Sequence, residues 1–442
     1  MDPARTVVRA EVLVVDDRLA AIGSAVPSAL AALPGGRADR TIDAHGAWVL
    51  PGFVHGHMHL CQTLFRGLAE QSDLLRWLRE AVWPLEAAHT DASLAASVRL
   101  GAAELIRGGV TCVNDMGTVH HGDALADALA GTGLRAVFGP ALMDRGQAVP
   151  ARLLEGADRA LERVLALADR WHGAADGRLS VSLAPRFILS CSEGLWRDVT
   201  AASHARGLLV HTHLAEAPTE GAEVKAAVGQ HAAPYFAAHG FMHERFVGAH
   251  GVWLDETELA LMKRADAALV HCPGSNLKLG SGFADVHAWR RHGIRCGLGS
   301  DGAACNNRLD TFHELGLAAG IGRVAHREDP VSARDWLAMA TCEGAAALGL
   351  GDRTGSLETG KQADLVVIAK DRAHHAPFAD RDPYTTLVHA TRSDDVRLTM
   401  VAGRVLWEQG AHTTLDAERD TATAVREAHA LAQRAGFAGA AA

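Results

Sequence analysis

The chain has 442 residues, room for one barrel of about 250 residues beside a smaller module. With 48% apolar and 21% charged residues its composition is globular, which excludes a disordered or fibrous chain. A formal net charge of −9 argues against the basic footprint of a nucleic-acid binder, and no run approaches the ~18 apolar residues that a membrane span needs.

The first residues, MDPARTVVRAEVLVVDDRLAAIG, lack the basic start and apolar core of a signal peptide. Seven cysteines, odd in number and without a CxxC pair, suit reduced thiols, so the chain reads as cytoplasmic. The run RAEVLVVDDRLAAIG predicts a hairpin turning at Asp16-Asp17, and residues 1–47 form the first part of a small β domain.

From residue 48 to residue 354, eight β-rich runs alternate with helix-length segments: WVLPGFVHGHMH, TCVNDM, RAVFGPAL, LSVSLAPRF, LLVHTHLAE, FVGAHG, AALVHCP and RCGLGSD. Alternation of this kind, eight times over, predicts an α/β fold of the (β/α)8, TIM-type barrel class. Among the intervening stretches, DASLAASVRLGAAELIRGG has apolar residues at helical spacing and closes on glycine, as a helix with a C-cap does. Residues 355–412 return to hairpin-like runs, GSLETGKQADLVVIAK and VRLTMVAGRVLWEQG, which complete the small domain as a composite β-sandwich from both ends of the chain. Residues 413–442 read as a helix fraying into an alanine-rich tail.

His57 and His59 stand two apart at the end of the first barrel run, so both side chains point to one face. Such a pair alone is a weak sign in a chain with 25 histidines. His213 and Asp301, however, fall at the ends of the fifth and eighth runs, and a barrel of this class builds its site at the C-terminal rim from several strands. Three imidazoles and a carboxylate form a metal set with an open position for water, whose pKa falls from about 15.7 to about 7 on such a cation. Asp301 is then the proton acceptor, and His250 at the end of the sixth run orients the water. Glu216, three residues past His213, is placed to protonate a ring nitrogen and serve a leaving amine, general acid–base work of about 10²–10⁴-fold. Lysine is scarce and none precedes Lys225, so no carbamylated lysine from the third or fourth strand bridges two metals, and a single metal is expected.

These residues, with PGFVHGHMHLCQTLFRGLAE, WPLEAAH, CPGSNLKLGSG and GSLETGKQADLVV, make nearly the whole chain resemble the amidohydrolase superfamily. Within it the chain is similar to the aminohydrolase and chlorohydrolase branch that includes S-adenosylhomocysteine, 5'-deoxyadenosine and guanine deaminases. The resemblance implies one divalent metal ion on His57, His59, His213 and Asp301, with catalytic roles for Glu216, His250 and Asp301. Zinc is the expected ion and Fe2+ the alternative.

Two positions bear on the substrate. Gln62 and Arg186, in APRFILSCS, resemble the glutamine and arginine with which guanine deaminases hold an oxopurine, whereas SDGAACNNRLD resembles the nucleoside deaminases. Arg186 also has a plainer reading as a structural ion-pair partner. In SNLKLGSG, Asn276 and Lys278 read as pairing neighbouring loops. Leu74, Leu75, Leu78 and Val82 fall on one helical face and read as core, while Trp77 and Trp83 are weaker candidates for a cap over a flat ring. Relatives implied by the resemblance carry a strand before a turn matching Met1-Asp2, so either the true start lies upstream or the small sheet has an open edge.

The function expected is metal-dependent hydrolytic deamination of an amino-substituted purine-like ring, with Glu216, His250, Gln62 and Arg186 facing the substrate. Adenosine-type nucleosides lead; guanine, 8-oxoguanine or pterin, chloride release from a triazine-like ring or cyclic amide hydrolysis, and an inactive metal-binding scaffold are the alternatives. The partners expected are a small heterocyclic substrate and further copies of the chain in a homo-oligomer, with neither nucleic acid nor membrane.

Overall fold

The computed structural model describes residues 6–70 and 73–437. The Met1-Asp2 turn and the final alanine-rich residues lie outside them. Strands β1 (Val12–Val15) and β2 (Arg18–Ile22) form the expected hairpin, and Asp16 takes the left-handed conformation at the turn (φ 52°). Strand β3 (Trp48–Pro51) follows, and it pairs antiparallel with Leu365–Ile368 of the small domain. The continuous apolar run WVLPGFVHGHMH, read above as one barrel strand, is therefore two strands in two sheets. The break falls at Gly52, where a Cβ would lie 2.0 Å from Thr111 Cγ2, so only glycine lets the chain pass from one sheet to the other.

The barrel comprises β4 (Phe53–Met58), β5 (Val110–Gly117), β6 (Arg135–Leu142), β7 (Leu179–Val181) continued by β8 (Ala184–Pro185), β9 (Val210–Leu214), β10 (Phe246–His250), β11 (Ala268–His271) and β12 (Arg295–Leu298). All are parallel, and the eight runs expected from the sequence supply them. A bridge between Leu183 and Val210 closes the circle. Every residue of β4, β5, β6 and β10 is buried, as parallel strands covered on both faces require. Helix Asp91–Arg107 shows why the intervening segments coil: Thr90 and Ser93 form a capping box, Gly108 ends the helix, and Leu94, Val98 and Leu105 form its buried face. Burying side chains of this kind stabilises by about 1.5–3 kcal/mol each.

Strands β13 (Leu365–Ile368), β14 (Val396–Val401), β15 (Arg404–Glu408) and β16 (Ala411–His412) join β3 in a five-stranded antiparallel sheet. The N-terminal hairpin packs on this sheet through Leu19 against Leu365, Val367, Leu398 and Met400, giving the two-layered module expected from both ends of the chain. A buried pair fastens it to the barrel: Arg135 donates to both Asp364 oxygens at 2.7 and 3.0 Å. Helix Ala417–Arg434 then crosses back to the barrel, where Asp420 accepts from Arg99 at 2.9 and 2.8 Å and Leu431 joins a core with Phe65, Trp77 and Trp83. Among the described residues no helix is long and apolar enough to cross a membrane.

Candidate active site

Strand β4 and the residue just past it bring His55, His57 and His59 to one face by simple alternation. Gly56 between them is needed because a Cβ would come within 2.9 Å of Val270 on β11. His55 is committed to Ser300 Oγ and Thr311 Oγ1, both at 2.9 Å. The other two meet His213 of β9 and Asp301, just past β12, as the sequence led us to expect. His59 Nδ1 donates to the Met116 carbonyl at 2.7 Å and His213 Nδ1 to the Arg186 carbonyl at 2.8 Å. A carbonyl only accepts, so each Nδ1 carries the proton and each Nε2 a lone pair. Those two Nε2 atoms face each other at 3.1 Å, and Asp301 Oδ1 lies 3.3 Å from His57 Nε2 and 3.4 Å from His59 Nε2.

Acceptors converging without a proton between them call for a cation. Burial presses His59 down to about 3 and lowers His57 and His213 as well, leaving the neutral imidazoles that ligation requires. His211 Nε2 sits 2.8 Å from His57 Nδ1, the kind of partner that fixes a ligand's tautomer. The residues present fit a divalent metal held by three nitrogens and one carboxylate.

Two carboxyl groups beside this set are driven apart in pKa. For Asp301, burial would raise the value, but the His57, His250 and His59 imidazoles outweigh it and hold the group well below the usual carboxylate range. Ser275 Oγ and the Gly302 N–H donate to its oxygens at 2.7 and 2.8 Å. Glu216 is pushed well up by burial, and further by Asp301 and Glu220. Its segment is held by Glu220, whose Oε2 accepts the Glu216 N–H at 2.7 Å, while Glu216 Oε1 is buried with no partner. His250 stands between the two, its Nε2 3.5 Å from Glu216 Oε2 and 3.8 Å from Asp301 Oδ2. Asn276 Oδ1, 2.9 Å from His250 Nδ1, holds the ring in that orientation. Both His250 (φ 76°) and Asp301 (φ 60°) occupy the left-handed backbone region.

A cavity opens on these groups. His59, His213, Asp301, Glu216 and Glu220 line its reacting end, and Gln62 and Arg186 a second wall. Over it lies a cap, Leu74–Ala87, in which a wide π turn at Leu78–Val82 joins two short helices. Leu74 and Leu78, read above as core, line the cavity with Trp77 and Phe187; Trp83 is packed beneath and does not. The residue that joins the two expected substrate groups is Glu86. It takes both Arg186 terminal nitrogens, at 2.7 and 3.1 Å, and the Gln62 amide at 3.0 Å, so the ion-pair reading of Arg186 describes its geometry. Lys278 links loops as expected, through Glu70 at 3.0 Å and the Ala304 carbonyl at 3.0 Å, whereas Asn276 serves His250.

Residues 48–406 match the Amidohydrolase family. The chain belongs to this family. It is 35% identical over 412 residues to the 5'-deoxyadenosine deaminase of Methanothermobacter thermautotrophicus, covering 92% of this chain and 91% of that one. It is 37% identical over 399 residues to the 5-methylthioadenosine/S-adenosylhomocysteine deaminase of Halobacterium salinarum, covering 90% of each. In fold it matches the crystal structure of an adenosine deaminase from Xanthomonas campestris with bound zinc, at TM-score 0.88 and 30% identity over 96% of this chain and 94% of that one.

Four groups of this amidohydrolase went unremarked or misassigned in the sequence. His211 forms a second HxH with His213, a signal that was present and passed over. Glu86 and Asn276 lie in the motifs WPLEAAH and CPGSNLKLGSG, which marked the family but not these residues' partners, and Glu220 carries no local pattern; only the folded rim brings the three to the site.

Proposed function

We propose that this amidohydrolase is a hydrolytic deaminase of adenine nucleosides, of the 5'-deoxyadenosine or S-adenosylhomocysteine kind, with one zinc ion on His57, His59, His213 and Asp301. The names of its relatives support the substrate class, and the observation that carries the chemistry is the placement of Glu216 and Asp301 on either side of His250, 3.5 and 3.8 Å from its Nε2, with burial pushing the Glu216 carboxyl up. The described cysteines are all free thiols, in keeping with work in a reducing cytoplasm.

When bound, a divalent cation at such a set supplies a water acidic enough to attack at neutral pH. Glu216 protonates the ring nitrogen beside the carbon that bears the amine. Asp301, oriented with His250, accepts one proton of the attacking water and hands it to the departing amine, which leaves as ammonia. The second water proton returns to Glu216, and the ring nitrogen keeps the proton it received. Gln62 and Arg186, joined through Glu86, form the wall that reads the edge of the ring.

That wall also favours a second reading, an oxopurine or pterin substrate, because Gln62 and Arg186 both line the cavity. Ammonia release by the metal-loaded protein separates the two. The nucleoside reading expects turnover of adenosine and 5'-deoxyadenosine; release from guanine or pterin alone would replace it with the second, and chloride release from a triazine without ammonia would overturn both. Glu216→Gln is expected to retain the metal and lose about 10²–10⁴-fold in kcat.

A further inference from the structure

A nucleoside whose reacting ring carbon sits at the metal set would extend its 5' substituent toward the cap, where the described lining side chains offer no counter-charge. Leu74, Trp77 and Leu78 from the cap, with Phe187 opposite, are all apolar. Of the described side chains that line the cavity, Arg186 is the one permanent cation, and both its terminal nitrogens are engaged by Glu86. Three carboxyl groups, Glu216, Glu220 and Asp301, line the same space. Of the cations flanking the cap, Arg79 pairs with Glu223 at 2.8 Å, Arg76 with Glu80 at 2.9 Å and Lys278 with Glu70 at 3.0 Å, while Arg152, on the turn packed against Trp83–Ala87, is exposed and outside the lining. Arg145, beyond the lining, donates to the Ile188 carbonyl at 2.8 Å.

Resting on the deaminase reading above, we propose that this site selects adenine nucleosides whose 5' substituent is uncharged and discriminates against one ending in an amino-acid group. A carboxylate drawn under this cap loses its water without gaining a donor, and an unpaired charge in an apolar wall is among the costlier things a site can bury. An alkyl or thioether group of the same reach gains from the same wall by burying apolar surface. The selectivity therefore comes from charge, not from length.

The test compares kcat/KM of the wild-type metal-loaded protein on three substrates. These are 5'-methylthioadenosine, S-adenosylhomocysteine, and a 5'-alkylthioadenosine as long as the latter but without its charges. The amino-acid nucleoside is expected to fall at least about tenfold below the methylthio compound, with the long neutral analogue close to it. Equal rates for the charged and uncharged compounds would overturn the inference and leave the deaminase reading standing. Rejection of the long neutral analogue along with the charged one would overturn it too, by showing that length decides. Ammonia from none of the three would remove both readings together. Leu78→Arg adds a second measure: the ratio of the charged to the methylthio substrate is expected to rise at least about tenfold, and an unchanged ratio in a folded variant counts against the inference.

Discussion

The Arg186–Glu86 pair shows how a single side chain can serve two ends. Both groups are almost fully buried and bidentate, so removing one leaves the other charged without a partner. Arg186→Ala is expected to lower stability by about 3–5 kcal/mol in denaturant unfolding, well before any effect on KM is considered. A variant that keeps full stability would show that the ion pair is not what holds the wall. Glu314 gives a pH signature of a different sort. Burial lifts its carboxyl to about 8, above the 4.5 of a free glutamate, against the donors Asn306 and Gly274 that favour its charge. A folded value raised above the unfolded one means that the contribution is fully present below pH 4.5 and is lost as the pH rises through about 8. The Tm difference between Glu314→Gln and wild type should therefore move in the variant's favour from pH 5 to pH 9, and a pH-independent difference would contradict the assignment. That His57, His59, His213, Asp301 and Glu216 would converge was legible because each stands at or just past the end of a strand in a chain whose strand count could be read. Glu86 was not, since nothing in its neighbourhood of sequence says that a buried arginine one hundred residues away needs it.

Among the elements, the cap draws its support from near the far end of the chain. Helix Ala417–Arg434 lays Ala424 and Leu431 into the core that holds Leu64, Phe65 and Trp77, and Arg434 donates to the Ala88 carbonyl at 2.9 Å. Leu431→Ala is expected to cost about 2–5 kcal/mol and to raise KM, as the wall it supports loosens. By contrast, the Arg79–Glu223 pair is partly exposed, and Arg79→Ala should change stability by less than about 1 kcal/mol. If the two variants were equally damaging, the cap would be latched by ion pairs and not by its core. The sequence pattern showed a helix here and an apolar face on it. Leu74, Leu75, Leu78 and Val82 are core as read, and what the pattern left out is that Leu74 and Leu78 also line the cavity with Trp77: a cap has core beneath and cavity before it, and periodicity alone cannot tell one apolar environment from the other. The N-terminal hairpin was easier, since its Asp-Asp turn and alternating residues are local matters.

At the scale of the whole molecule, two layers of evidence for one barrel agreed, the eight strand runs and the order in which the rim residues occur along them. What periodicity did not show was the change of sheet at Pro51-Gly52, because an apolar run reads the same whether its residues pair with Leu365–Ile368 or with β5 and β12. That joint makes the two domains one object. Buried Arg135 and Asp364 span it as well, and Asp364→Ala is expected to destabilise the whole chain by about 3–5 kcal/mol while leaving metal stoichiometry at the rim unchanged. The chain runs without a loop from Trp48 in the small sheet, through a glycine that admits no side chain, to His57 in the barrel. A metal held at the rim, as proposed, would thus act as an anchor for a sheet it does not touch. By mass action, chelation should lower the melting temperature of both modules together in a single transition, and hydrogen exchange across Trp48–Pro51 should quicken when the ion is stripped away.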